Sequence, residues 1–310
     1  MATKKASSKK PTSTKKSVAA KPAAVTKVTA KKSSEASTTT IKPGALIAEL
    51  LGTFVLAGAV ISLAANANFG VVGISLILAI LVVVFGAISG AHLNPAITIA
   101  QYVNRKIGGL KALTYVVSQV LGAILALAIL AGVSSANWDY NAAVKTAVEN
   151  AGVSSSAIET AGGIEKWSET YGGIEAVAAQ VGVENKAPET FTVSKMASGK
   201  EWVAFLTEIL GALVFGLGVG YAVFGKSKSR IEAGLAVGLG LLAGLVIGGA
   251  TVILNPAVAG AIGGFHWANP FGADAGVFWW PVLVYIVGTT VGMTAGVTAY
   301  RFLAKDAEQA

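Results

Sequence analysis

The sequence predicts an all-α membrane protein: six transmembrane helices plus two re-entrant half-helices, arranged as an inverted repeat. Three observations carry this expectation. Of 310 residues, 54% are hydrophobic and only 13% charged, against about 25% charged in an ordinary soluble domain, and mean hydropathy is +0.65. The charges cluster and leave several apolar runs of about twenty residues, the length that crosses a bilayer. The triplet Asn-Pro-Ala occurs twice, as Asn94-Pro95-Ala96 and Asn255-Pro256-Ala257, each after a long apolar run and a glycine-containing break.

Residues 1–43 hold eleven lysines and one acid, Glu35, so the tail carries +10 of the net +8 and the remainder is slightly acidic. Its Lys, Ser, Thr and Ala, with Pro11 and Pro22 and no aromatic residue, cannot bury enough apolar surface to offset ordering entropy. It reads as a disordered, solvated cytoplasmic tail with weak attraction to anionic membrane lipid. It is not expected to be a cleavable signal peptide, because the apolar run after Pro43 is too long. Charge confined to such a tail does not point to nucleic acid as a partner.

Full spans are expected at about 44–65, 70–89, 110–133, 202–224, 231–249 and 278–303. Glycines recur every fourth residue in the fifth (Gly240, Gly244, Gly248) and sixth (Gly288, Gly292, Gly296), a spacing that lets membrane helices approach closely. Each triplet reads as a helix start. Asparagine is a good N-cap, and proline suits the first turn, where its missing N–H would be unpaired anyway. The apolar runs after them, Ile97 to Val103 and Val258 to Ile262, are expected to be short helices of two turns at most.

The chain repeats itself. Ala48-Glu49-Leu50-Leu51-Gly52-Thr53 opens one half and Thr207-Glu208-Ile209-Leu210-Gly211-Ala212 the other, with 45 residues from Glu49 to Asn94 and 47 from Glu208 to Asn255. Three spans per half is an odd number, so the second half enters from the opposite side, and the functional site belongs where the two broken helices meet. This divides the chain into a tail (1–43), a first repeat of three spans and a re-entrant helix (44–133), a long connection (134–201), a second repeat (202–303) and a C-terminal tail (304–310). Lys and Arg mark the cytoplasmic side. The tail, Arg105, Lys106, Lys111, Lys226, Lys228, Arg230, Arg301 and Lys305 share one face. The connection, with five lysines and nine acids, lies on the other. Both termini are therefore expected in the cytoplasm, at the cell membrane.

Two half-helices meeting end to end aim two positive dipole ends at one spot. Irregular backbone at that depth must line a cavity or be buried in protein. The loops 90–93 and 250–254 are thus expected to present carbonyls, those of Gly90, Ala91, Ala250 and Thr251, while Asn94 and Asn255 donate. Such a lane repels cations and suits a small neutral hydrogen-bonding solute. Glu49 and Glu208 are acids inside apolar spans, which commonly mark function in membranes. They read as a proton relay or, given their equivalent places, as braces accepting N–H groups of the adjacent loops. His92 reads as a pH-sensitive gate or as a third brace. There is no Ser-His-Asp arrangement, paired catalytic acid, metal-ligand cluster or cysteine, which points away from an enzyme, a cofactor and a metal.

The run Ser89-Gly90-Ala91-His92-Leu93-Asn94-Pro95-Ala96, the second triplet and the two Glu-bearing openings resemble the aquaporin and glycerol-facilitator family, the major intrinsic proteins. The resemblance covers about 44–133 and 202–303. It implies a pore in each subunit of a homotetramer, half-helix starts at Pro95, Ala96, Pro256 and Ala257, solute orientation by Asn94 and Asn255, and loop bracing by Glu49 and Glu208. It also implies a selectivity filter at Ile74, Ala243, Val252 and Val258. The family normally has Arg at the last of these, and water-selective members have an aromatic and a His at the first two. An all-apolar filter strips hydration without replacing it, which favours an uncharged, alkyl-backed solute such as glycerol. Pro281-Val282 resembles glycerol facilitators, whereas Ala259 and Gly263 depart from them. Other readings are a water, ammonia or gas channel, a proton-coupled transporter and a non-conducting scaffold. The connection 134–201 reads as short amphipathic helices broken by glycines, either a cap over the outer mouth or a mobile insertion.

Overall fold

A computed structural model describes residues 41–63, 69–185, 200–226, 229–249, 251–262 and 275–306. The expectations for residues 1–40, Lys228, Ala250 and Gly263 lie outside these residues. The described residues form α1 (Pro43–Leu63), α2 (Gly70–Phe85), α3 (Pro95–Val103), α4 (Gly109–Ala136), α5 (Tyr140–Asn150), α6 (Ser155–Thr160), α7 (Ile164–Glu169), α8 (Ile174–Val181), α9 (Glu201–Phe224), α10 (Arg230–Gly248), α11 (Pro256–Ala261), α12 (Ala275–Val282), a π-helical segment (Leu283–Gly288) and α13 (Thr289–Asp306). Among them, α1, α4, α9, α10 and the continuous segment Trp279–Asp306 are long and apolar enough to cross a membrane. The protein is an integral membrane protein of all-α fold.

Three boundaries differ from expectation, each for a local reason. α2 ends at Phe85 rather than residue 89, which makes it about 24 Å long at 1.5 Å per residue. From Gly86 the chain turns, with the N–H of Ser89 on the carbonyl of Phe85, and so enters the re-entrant loop early. α3 has nine residues, about half a turn beyond the two turns expected, because Pro95 and Ala96 are themselves helical. The last span is not one regular helix. Pro281 lies inside α12 and has no N–H for the preceding turn, and the backbone widens into the π-helical segment that follows.

The spans pack in the order α13, α9, α10, α2, α1, α4, and α3 and α11 bridge the two ends of that row. α3 packs against α13 as well as α4, and α11 against α4, so each half-helix leans on the third span of the other repeat. Glycine makes the approaches close. A Cβ on Gly292 would lie 2.2 Å from the carbonyl oxygen of Ile209 and one on Gly296 2.1 Å from that of Leu213. Of the other regularly spaced glycines, Gly244 meets the Gly211 carbonyl and Gly240 the Cα of Gly218. In the first repeat, Gly122 of α4 meets the Leu50 carbonyl, where a Cβ would be at 2.3 Å.

The long connection forms α5 to α8, whose apolar faces meet in a separate core of Val144, Val148, Ile158, Ile164, Val177 and Ala178. Gly163 and Gly173, at φ of 109° and 97°, precede α7 and α8. Each takes a backbone that a side chain would disfavour, which explains the echoed Gly-Gly-Ile-Glu.

Candidate functional site

The two triplets do locally what asparagine and proline allow. Asn94 is extended (φ −160°), and its side-chain oxygen accepts from Ala96 N–H at 2.8 Å. Asn255 (φ −152°) accepts from Ala257 N–H at 3.1 Å and Val258 N–H at 3.4 Å. Pro95 and Pro256 fill the first helical positions.

The preceding leucines carry the strain. Leu93 and Leu254 both sit at positive φ, 52° and 58°, which costs a non-glycine residue about 1–2 kcal/mol. The turn presents each carbonyl to the opposite triplet. Asn94 Nδ2 donates to the Leu254 carbonyl at 2.7 Å, and Asn255 Nδ2 donates to the Leu93 carbonyl at 3.0 Å. An amide nitrogen carries two hydrogens, so each asparagine retains a second donor after this exchange. Both are nearly buried, at 2% and 5% exposure.

Each loop is also held from behind by a carboxylate. Glu49 accepts from His92 N–H at 3.0 Å, Leu93 N–H at 2.7 Å and Gln119 Nε2 at 2.8 Å. Glu208 accepts from Ile253 N–H at 3.0 Å, Leu254 N–H at 2.7 Å and Thr289 Oγ1 at 2.6 Å. Both are fully buried, so the amide and hydroxyl donors are what compensates for lost water. The His92 ring joins the first network. Its Nδ1 lies 3.1 Å from Thr98 Oγ1, which is also within 3.1 Å of the Asn94 carbonyl and accepts from Gln119 Nε2 at 2.9 Å.

Several participants are not evident from the triplets. Gln119 and Thr289, the third donors to the carboxylates, each follow a tyrosine by four residues. Tyr115 donates to the Ser89 carbonyl at 2.8 Å and Tyr285 to the Thr251 carbonyl at 3.1 Å. The signal was a buried-side tyrosine followed by a polar residue one turn later in the third span of each half. Gly52 and Gly211 lie one turn after the glutamates. A Cβ on Gly52 would be 2.4 Å from Leu93 Cδ2, and one on Gly211 would be 3.0 Å from Leu254 Cδ2. Each Glu-x-x-Gly thus bonds the backbone of a left-handed leucine and leaves room for its side chain.

The remaining site residues fall as follows. Gly90 and Ala91, at φ 96° and 47°, border a cavity of about 290 Å³ that also touches Ile97, Gln101, Val237 and Arg230. The Thr251 carbonyl is engaged by Tyr285. Ile74 and Val252 share one apolar cluster with Leu93 and Leu254, and Ala243 is half-buried. Val258 packs instead with Ala57, Ile61, Ala123 and Ala126 of α1 and α4, so the four do not form a single cluster.

Residues 35–300 match the family model of the major intrinsic proteins. The chain is 40% identical over 107 residues to Aquaporin Z of Photorhabdus laumondii, covering 31% of this chain and 46% of that protein. It is also 40% identical over 94 residues to the glycerol uptake facilitator protein-like 6 of Lactiplantibacillus plantarum, covering 29% and 44%, and 50% identical over 50 residues to bovine (Bos taurus) Aquaporin-1, covering 16% and 18%. The chain spans less than half the length of these relatives in each match. The X-ray structure of the aquaglyceroporin from Plasmodium falciparum aligns with 84% of this chain and 94% of that one, at 20% identity and a TM-score of 0.47. With the family model covering nearly all of both repeats, the chain belongs to the major intrinsic protein family.

Proposed function

We propose that the protein is a passive transmembrane channel for small neutral solutes, with glycerol-like polyols favoured. The observation that carries this reading is the reciprocal exchange between Asn94 and the Leu254 carbonyl and between Asn255 and the Leu93 carbonyl. It fixes two amides back to back where two half-helix N-termini converge, with one N–H of each left for a solute. Two positive dipole ends at that point oppose cations.

In this reading Glu49, Glu208 and His92 brace the loops. The bonds to Glu49 and Glu208 come from loop amides and from side chains of the same repeat, which supports holding over proton transfer. We assign the constriction to Ile74, Ala243, Val252 and Val258, with Val258 approaching it from the α1–α4 cluster and Ile74 and Val252 from the other; having no donor, they select for an uncharged solute with an alkyl backbone. The protein resides in the cell membrane as a homotetramer with both termini cytoplasmic, and the α5–α8 module sits outside the outer mouth.

Stopped-flow light scattering on proteoliposomes, under a sucrose gradient and then a glycerol gradient, tests the reading. Fast glycerol re-swelling supports it. Fast water flux without glycerol flux transfers it to a water channel. Saturable uptake that follows a pH gradient transfers it to a coupled transporter.

A further inference from the structure

The inner network holds the N-terminal end of α3, but its other end is held just as specifically by residues that the pore chemistry does not require. α3 closes in a Schellman turn, with Lys106 N–H on the Gln101 carbonyl at 2.8 Å and Arg105 N–H on the Tyr102 carbonyl at 2.9 Å. Arg105 takes the left-handed position (φ 61°) where glycine is usual. Asn104, 4% exposed, donates from Nδ2 to the Ala100 carbonyl at 2.9 Å and to Thr298 Oγ1 at 3.0 Å. Its backbone and side-chain oxygens accept from Arg301 Nη1 at 3.3 and 3.4 Å. The Arg301 guanidinium also lies 5.5 Å from the Phe224 ring centre, and the Lys106 ammonium lies 4.4 Å from it.

Two elements therefore converge on the C-terminal end of α3: α13 through Thr298 and Arg301, and α9 through Phe224. The cation is at the negative end of the helix dipole and on its last carbonyl. Asn104 stands ten residues beyond Asn94, about 15 Å at the helical rise. A nine-residue helix behaves as a short rod, so displacement at one end is delivered to the other. Ile262, the C-cap of α11, is apolar and has no side-chain amide like that of Asn104, the C-cap of α3.

We propose that Arg301 and Asn104 are positioning residues: they clamp the far end of α3, set its depth, and thereby place the Asn94 amide for the permeating solute. The proposal rests on the channel reading of the same site. The clamp joins one repeat to the other, since α3 belongs to the first half and Thr298 and Arg301 to the second.

The test uses the full-length protein in vesicles at matched protein content, with glycerol and water permeability measured for wild type, Arg301→Ala, Asn104→Ala and Arg301→Lys. Partial misfolding lowers both fluxes in proportion. A shifted Asn94 changes their ratio, expected by about fivefold in the two alanine variants, or about 1 kcal/mol of differential barrier, with partial recovery in Arg301→Lys. Amide hydrogen exchange supplies a second reading independent of flux. The amides of Thr98 to Ala100 should exchange about tenfold faster in Arg301→Ala, as expected for a lost charged hydrogen bond, while those of α4 stay unchanged. Conduction by wild type with unchanged ratios in the variants, or unchanged exchange in α3, overturns the clamp alone. A wild type that passes neither solute overturns the channel reading and the proposal with it.

Discussion

Asn94 donates to the carbonyl of Leu254, 160 residues further along the chain, at 2.7 Å. The carbonyl is available because Leu254 is held at positive φ, and Leu254 is held there because Glu208 takes its N–H and Gly211 leaves room for its side chain. One buried carboxylate, one missing Cβ and one strained leucine thus place the partner of an asparagine in the other half of the molecule. Asn255, Leu93, Glu49 and Gly52 form the same set in reverse.

Asn94→Ser separates the two duties of the asparagine. Serine still caps α3 but does not reach the Leu254 carbonyl. Thermal unfolding in detergent should show a loss of about 1–2 kcal/mol, and glycerol flux at equal protein should fall by much more than that stability change explains. Unchanged flux removes Asn94 from the solute path.

Glu49→Gln leaves one acceptor where two oxygens now serve three donors, and it points an amide N–H at a buried N–H or NH₂ group. A loss of about 1–3 kcal/mol is expected, with the same for Glu208→Gln. Solute flux through the surviving folded protein should not depend on a pH gradient in wild type or variants. A gradient-driven component abolished by either substitution would establish proton coupling.

Gly52→Ala and Gly292→Ala distinguish two kinds of close contact. The new Cβ at Gly52 meets the end of the Leu93 side chain at 2.4 Å, which can rotate, whereas at Gly292 it meets the backbone carbonyl of Ile209 at 2.2 Å, which cannot. Overpacking of the first kind costs about 1–3 kcal/mol, and the second should cost more. Gly292→Ala should therefore have the lower unfolding temperature, and Gly52→Ala the larger fractional loss of flux in the protein that remains folded. The reverse order would mean that the Leu93 notch is as rigid as the helix–helix seam.

Val258→Arg introduces a charge into packing shared with α1 and α4, where Val258 is 1% exposed. If the position borders the pore, the long side chain reaches the lane, slows glycerol and leaves the protein folded. If Val258 serves only the α11–α1–α4 packing, an unpaired buried cation costs several kcal/mol and the variant fails to accumulate. Expression yield read beside glycerol flux decides between the two.

The six apolar segments, the half-helix starts and the doubled register were legible because each rests on local chemistry: run length, N-capping by asparagine, proline at the first turn. The repeated Glu-x-x-Gly is visible too, but only its glutamate stands out in the sequence, because a glycine inside a membrane helix reads generically as a packing residue. The early end of α2 and the π-helical segment after Pro281 depend on how a turn relaxes against its neighbours, which no periodicity encodes.

What the sequence alone determined is the architecture: an inverted pair of three-span repeats, each with a broken helix opened by Asn-Pro-Ala. Those features follow from hydrophobic length and from which residues can start a helix, and both are properties of short stretches. Only the tertiary structure decided which groups face one another. That Asn94 meets Leu254, that Tyr285 donates to the Thr251 carbonyl, that Val258 packs with α1 and α4 apart from Ile74 and Val252, and that Arg301 caps α3 all join segments at least 34 residues apart or from different helices. Such pairings are set when the whole chain packs, because a buried donor is satisfied by whatever acceptor the fold brings within hydrogen-bond reach.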